Sequence, residues 1–378
     1  MKIFHITPDY NFAIKFVLPV ASEHARDNHQ VKICTHRNEY SSTKFEANSY
    51  FENEVEIFDC NVKVRRDLIS YLYSIFLLLK EVRLFSPDIV VSHTSIDSFF
   101  PIIFIRFFSK KRIVYFNHGV PFLGYSSWMR FLLRVAESLN VRSAHQVFTI
   151  SAAMKKHLNS VASDGDSVKM ISPGSACGIP LVSREYSEVI LKRQEARQFL
   201  GIPQDEKVVI YVGRPVFRKG FFDLLNVWRK FFNEERTRLL LVGPSGEFGE
   251  NNNEFNGSNI YFLGYQADPT IFYLVADVLC IPSHHEGLGY CYLEAAAAGC
   301  VPICSDIEGP TDFVKNRFSG LTCKIKDAKS IRDCIGELLY DRDLRERLAF
   351  NAFQSAIAYD QEVIAPKVSA AILDIERR

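Results

Sequence analysis

Residues Val278 to Asp306 read VLCIPSHHEGLGYCYLEAAAAGCVPICSD. Four apolar residues make a short buried strand, a loop carrying Gly287 and Gly289 follows, a helical run stops at Gly299, and Val301–Cys304 forms a second strand. Strand, loop, helix and strand in succession are the repeating unit of a parallel sheet. Backbone N–H groups around Gly287, Leu288 and Gly289 lie at the helix N-terminus, where unsatisfied donors and the positive end of the dipole favour a phosphate group. Glu294 lies about five residues into that helix, so its backbone is roughly 7 Å from the start, comparable with a diphosphate-to-ribose separation. Its carboxylate reads as an acceptor for two ribose hydroxyls. Glu286, another acceptor-only group, suits hydroxyls elsewhere on such a ligand, and a sugar supplies them. An exposed loop glutamate and an ordinary helix glutamate are the plain alternative; the strand-loop-helix context favours the ligand reading.

The same alternation extends in both directions. Val208–Val212, Leu239–Val242 and Ile260–Phe262 precede this stretch, and Lys2–Thr7, Val31–Thr35, Ile89–Val91, Ile113–Phe116 and Val147–Thr149 repeat the pattern earlier. At 378 residues the chain exceeds the roughly 250–300 at which single cores stop growing. Two doubly wound α/β domains are expected, 1–182 and 183–360. Pro173 to Arg193 reads as the connection between them, followed by a short helix ending at Leu200 and Gly201. From Ala328 onward the pattern is continuous helix, interrupted around Tyr359 and Asp360. In open parallel sheets the ligand crevice lies beyond the carboxyl ends of the strands, so residues just after strands are the ones to inspect.

Composition narrows the function. Hydrophobic residues at 47% and charged residues at 24% exclude disorder and a coiled coil. Residues 1–182 carry 21 Lys/Arg against 16 Asp/Glu, and the remainder 24 against 28. That asymmetry is too mild for a dedicated nucleic-acid binder. The longest apolar runs, Ile69–Leu79 and Phe99–Ile105, fall short of the roughly 20 residues that span a bilayer. The start MKIFHITPDY lacks a secretory pattern, which leads to an expected cytoplasmic location. Nine cysteines between Cys34 and Cys334 contain no CxxC pair, so packed thiols are expected rather than disulfides or a zinc site.

A second stretch carries cations. Val208 to Gly220, VVIYVGRPVFRKG, runs from a strand into Gly213 and Arg214, then Arg218 and Lys219. A departing diphosphate needs its charge balanced, and Arg214 and Lys219 are the groups chosen for it; Arg218 fits a solvated basic loop equally well. In the first half, strand Ile113–Phe116 leads into His118, which reads either as a contact to the reacting sugar or as a structural hydrogen-bonder. His93 and Thr94 are weaker candidates. His284 and His285 beside Glu286 lack a third metal ligand at recognisable spacing, so no metal is assigned. Gly243, Gly246 and Gly249 lack dinucleotide spacing, and the Asn-rich run after them reads as a surface loop.

Together these residues resemble retaining glycosyltransferases of family 4. The resemblance rests on Gly213, Arg214, Lys219 and Gly220 in GRPVFRKG, on Glu286 and Glu294 in EGLGYCYLE, on His118 and Gly119, on GSACGI from Gly174, and on LGYQADP from Leu263. It implies the GT-B architecture, two Rossmann-like domains facing across a cleft, and nucleotide-sugar donors used without a required metal or other cofactor. It further implies that Arg214 and Lys219 hold the donor diphosphate, that Glu294 binds ribose, that Glu286 and the following Gly287, Leu288 and Gly289 contact the donor sugar, and that His118 lies near the reacting centre. Departures occur in DYNFAIK, Asp9 to Lys15, which has no glycine, in IPLV after Gly178, and at Pro244. The tail NAFQSAIAYDQEVIA resembles the bacterial subgroup that extends lipid-linked oligosaccharides, which implies that the last helix, 361–378, packs back on the first domain.

The expected reaction is transfer of a hexose or N-acetylhexosamine from a nucleoside diphosphate sugar, UDP favoured, to a glycan acceptor on polyprenyl diphosphate, with retention. A nucleotide-sugar epimerase or hydrolase of the same fold, and a non-catalytic sugar-nucleotide-binding partner, are the rival readings. Aromatic and cationic clusters at Phe107–Arg112 and Trp128–Arg134 read either as a contact for the anionic inner face of the cytoplasmic membrane or as core with a solvated rim.

Overall fold

The computed structural model describes residues 1–36, 49–59, 68–93, 99–108, 111–125, 127–162, 167–232, 236–243 and 259–377. Thr94, Gly246, Gly249, Pro244, the Asn-rich run and residues 109–110 of the Phe107–Arg112 cluster lie outside them. The chain divides into two units, Met1–Gly178 with Gln361–Arg378, and Ile179–Asp360; residue 182 lies just inside the second.

The first unit holds β1 (Lys2–Ile6), β2 (Gln30–Thr35), β3 (Ser49–Glu52), β4 (Val55–Asp59), β5 (Ile89–Ser92), β6 (Arg112–Asn117), β7 (Gln146–Thr149) and β8 (Val168–Met170). They form one sheet in the order β3-β4-β2-β1-β5-β6-β7-β8. Every pairing is parallel except β3 with β4, an antiparallel edge that the strand pattern did not reveal. The second unit holds β9 (Lys207–Val212), β10 (Thr237–Val242), β11 (Ile260–Gly264), β12 (Val278–Ile281), β13 (Val301–Ser305) and β14 (Leu321–Cys323), in the order β11-β10-β9-β12-β13-β14, all parallel. Helices cover both faces of such sheets, so central strands are apolar throughout: every residue of β5, β12 and β13 is buried. In this sheet the strand order reverses between β9 and β12, the point at which doubly wound sheets bind ligands.

Two helical expectations need correction. Tyr186–Phe199 is one helix of 14 residues, so the last eight residues of the supposed connection, Tyr186 to Arg193, are helical. Its periodicity is disguised because cations occupy core-facing positions. Arg197 is buried and donates to Val275 O at 3.0 Å and Asp277 Oδ2 at 2.9 Å, while Arg193 donates to Ala276 O at 2.8 Å. The C-terminal run is also three helices, Ala328–Tyr340, Arg342–Ile357 and Gln361–Leu373. Asp341 separates the first two, accepting the Leu344 N–H at 2.9 Å as an N-cap.

The chain enters and leaves the second unit at adjacent points. Ile179 N–H donates to Tyr359 O at 2.8 Å, and Arg184 Nε donates to Asp360 Oδ2 at 2.7 Å. Gln361–Leu373 then joins the first unit, where Ser369 Oγ meets His24 Nδ1 at 2.9 Å. No disulfide joins the described cysteines, and burial pushes the Cys323 thiol up to about 12. Among the described residues no helix is long and apolar enough to cross a membrane.

Candidate functional site

The carboxyl ends of β9 and β12 bring the second unit's predicted residues together. After β9 the chain turns through Gly213 and Arg214, and Tyr211 Oη donates to Arg214 O at 2.8 Å. A single turn, Phe217–Lys219, follows, and Gly220 starts the helix Phe221–Phe231 in the left-handed region at φ 66°. A Cβ on Gly220 would lie 2.0 Å from Pro282 O, so only glycine lets this turn press against the end of β12. Arg218 fastens the contact, its carbonyl accepting the His284 N–H at 2.9 Å and its Nη1 donating to His285 O at 3.5 Å. His284 Nε2 meets Asp223 Oδ2 at 2.6 Å. Arg218 and His284 therefore hold the loops in place.

That contact sets Lys219 against Glu286. Their side chains are 18% and 15% exposed, and Lys219 Nζ is hydrogen-bonded to Glu286 Oε2. Burial alone would push the Glu286 carboxyl up; the Lys219 ammonium, its hydrogen bond, the Gly287 N–H and Arg218 outweigh it and hold the carboxyl below its usual range. Gly287 N–H donates to Glu286 Oε1 at 3.1 Å. Leu288 is buried, and Gly289 is the N-cap of the helix Tyr290–Ala297. A Cβ on Gly309, φ 102°, would lie 1.8 Å from Gly287 O, so a second glycine after β13 permits the loop's position. Tyr292 Oη donates to Ile281 O at 2.8 Å and ties this helix to β12.

Glu294, half-buried one turn on, accepts from Tyr273 Oη at 3.1 Å. Burial raises the Tyr273 phenol well above its ordinary value, so it stays a donor. Arg214 is exposed, and its guanidinium has no hydrogen-bond or ion-pair partner among the described residues. The ensemble offers a free cation, a second cation shared with a carboxylate, a helix N-terminus and a second carboxylate about one turn deeper. It can hold a diphosphate flanked by two hydroxyl-bearing rings. Among the described residues no group of three or more His, Cys, Asp or Glu side chains is placed to hold a metal ion.

His118 belongs to the first unit. It follows β6, whose last residue Asn117 is buried and donates to Glu137 Oε1 at 2.7 Å while accepting the Gly119 N–H at 3.1 Å. His118 Nε2 meets His93 Nδ1 at 3.1 Å. The glycine-free first loop forms a helix start, with Asp9 accepting the Phe12 N–H at 2.9 Å, and sets Phe12 edge-on to His118 with centroids 4.7 Å apart. Tyr273, Asp223, Gly309 and His5 were missed by the sequence reading, for nothing local marks them.

Two Rossmann-like units of this strand order define the GT-B class of fold. Residues 192–355 match the family model described as Glycosyl transferases group 1, and residues 15–175 that described as Glycosyltransferase Family 4. The chain belongs to the glycosyltransferases that these models define. It is 26% identical over 246 residues to the N,N'-diacetylbacillosaminyl-diphospho-undecaprenol alpha-1,3-N-acetylgalactosaminyltransferase of Campylobacter jejuni, a match spanning 63% of each chain. It is 26% identical to the capsular polysaccharide biosynthesis glycosyltransferase CapM of Staphylococcus aureus, over 75% of each. In fold it is similar to sucrose-phosphate synthase from Thermosynechococcus elongatus, with TM-score 0.81 and 18% identity over 100% of this chain and 99% of that one. Anabaena HepE in complex with UDP-glucose gives TM-score 0.76 at 18% identity over 99% and 100%.

Proposed function

We propose that the protein transfers a hexosyl or N-acetylhexosaminyl group from a nucleoside diphosphate sugar, UDP favoured, to a hydroxyl of a glycan acceptor on polyprenyl diphosphate in bacterial surface-glycan synthesis. The observation that carries the reading is the Lys219–Glu286 pair beside the Gly287–Gly289 turn, at the point where β9 and β12 part. The acceptor class is supported by the diphospho-undecaprenol named for the Campylobacter relative, and the base by the UDP-glucose named for HepE.

In this reading the diphosphate lies on the N–H groups at Gly287, Leu288 and Gly289. Arg214 and Lys219 neutralise the charge that develops on the leaving phosphate, with no metal required. Glu294, oriented by Tyr273, takes the ribose hydroxyls, and Glu286 those of the donor sugar. The β-phosphate oxygen accepts the proton of the incoming hydroxyl, the new bond forms on the face the phosphate leaves, and configuration is retained. His118 contacts the reacting sugar.

A membrane role for the first unit is supported by the helix Ser127–Ser143. Trp128 and Phe131 are both 67% exposed on it, with Leu132, Val135 and Leu139 continuing the stripe and Arg130 and Arg134 interleaved. The test is incubation of radiolabelled UDP-sugars with a polyprenyl-diphosphate glycan, with NMR of the product. An α-linked product from an α-donor is expected; donor consumed without acceptor makes the protein a hydrolase or epimerase, and no turnover of any donor overturns the assignment.

A further inference from the structure

Three adjacent strands of the first unit each deliver a histidine to one place. His5 lies in β1, His93 follows β5 and His118 follows β6, and β5 is the strand between the other two. His5 Nδ1 meets His93 Nε2 at 2.9 Å, and His93 Nδ1 meets His118 Nε2 at 3.1 Å. The His5 and His93 rings stack at 5.2 Å and 21°. His5 and His93 are buried and His118 half-buried, with Phe12 and Phe116 packed against the His118 ring.

A neutral imidazole carries one N–H and one lone pair. Burial lowers His5 and His118 to about 3, and lowers His93 well below its ordinary value, so all three rings are neutral near pH 7. Two hydrogen bonds through three neutral rings can run in only two directions. Running outward, each ring is protonated on Nδ1, His5 donates to His93, and His93 donates to His118. Running inward, each is protonated on Nε2, and the last proton sits on His5 Nε2. That atom is buried without a hydrogen-bond partner. The neighbouring ring, His24, has its centroid 5.7 Å from that of His5, and its Nδ1 meets Ser369 Oγ. An orphaned buried N–H is the rarer and costlier defect, so the outward direction prevails.

We infer that His93 and His5 are positioning residues whose hydrogen-bonded rings fix His118 as the Nδ1–H tautomer, so that His118 offers its ligand a hydrogen-bond donor and not a base. The inference rests on the reading above in one respect only, that the ligand is the reacting sugar, whose ring or hydroxyl oxygen accepts this N–H. With a dead end at His5, the relay orients His118 and carries no proton away.

The test uses the full chain without ligand, labelled with 15N-histidine, and long-range 1H–15N correlation near pH 7.5, with peaks assigned from single His→Asn variants. His118 is expected to show a protonated Nδ1 and a bare Nε2. In His93→Leu the donor to Nε2 is gone, so His118 shifts toward the Nε2–H tautomer and transfer falls by about 10-fold or more. In His93→Asn the amide nitrogen stands where Nδ1 stood, so the tautomer and most of the transfer rate persist. A wild-type His118 protonated on Nε2, or one indifferent to His93→Leu, overturns the inference. Because the spectrum is taken without substrate, a chain that shows the Nδ1–H tautomer yet binds no sugar nucleotide contradicts the proposed function and supports the relay.

Discussion

Replacing Lys219 by alanine strands Glu286. In the native protein burial opposes ionisation of that carboxyl, and Lys219 is the largest of the groups that reverse the balance. Breaking a buried pair by removing one partner costs about 3–5 kcal/mol when nothing else compensates. Here the Gly287 N–H and Arg218 remain, and both side chains are 15–18% exposed, so a loss of about 2 kcal/mol is expected. For a unit of this size that corresponds to roughly 4–8 °C in Tm. The sign of the pH dependence follows. A depressed carboxylate stabilises above its unfolded pKa and loses that contribution as pH falls through its folded value. Lys219→Ala raises the folded value, so the deficit against wild type is full near pH 8 and narrows as Glu286 protonates on the way to pH 4. Denaturant melts of wild type, Lys219→Ala, Glu286→Gln and the double variant at pH 8 and pH 4.5 measure it, the double variant recovering most of the loss. Equal deficits at both pH values, or additive single effects, refute the reasoning.

Other expectations follow from the same geometry. Arg214→Ala should leave the free energy of unfolding within about 0.5 kcal/mol of wild type, since its guanidinium has no hydrogen-bond or ion-pair partner among the described residues, while transfer falls about 100-fold; near-normal turnover contradicts its role. Gly309→Ala forces a Cβ to within 1.8 Å of Gly287 O at φ 102°. It should cost on the order of 1–3 kcal/mol by thermal melt and abolish the extra stability conferred by UDP-sugars. Tyr273→Phe removes the donor to Glu294 and should weaken donor affinity by roughly 5- to 10-fold by calorimetry, about 1 kcal/mol, with the fold intact.

What the sequence discloses here follows burial. Val208–Val212 and Val278–Ile281 are legible because central parallel strands are covered on both faces and must be apolar. β3 is a short edge strand of four residues, β4 beside it is buried only at alternate positions, and β8 and β14 have three residues each, too few to establish a period. The end of the helix Tyr186–Phe199 was legible at Leu200 and Gly201, but its start was obscured because Arg193 stands where an apolar residue would show the period. Residue type and position after a strand marked Arg214, Lys219, Glu286 and Glu294 as candidates. Pairing was hidden: Lys219 meets Glu286 across 67 residues only because β9 and β12 are sheet neighbours. The His5–His93–His118 relay spans 88 and 25 residues and depends likewise on strand order.

In the proposed function the carboxyl ends of β9 and β12 grip a sugar nucleotide. A crystal of the full chain grown with a UDP-sugar tests it most directly. Diphosphate density is expected on the amides of Gly287–Gly289 within reach of Arg214 and Lys219, with ribose on Glu294. Ordered nucleotide density anywhere else in the chain would contradict it.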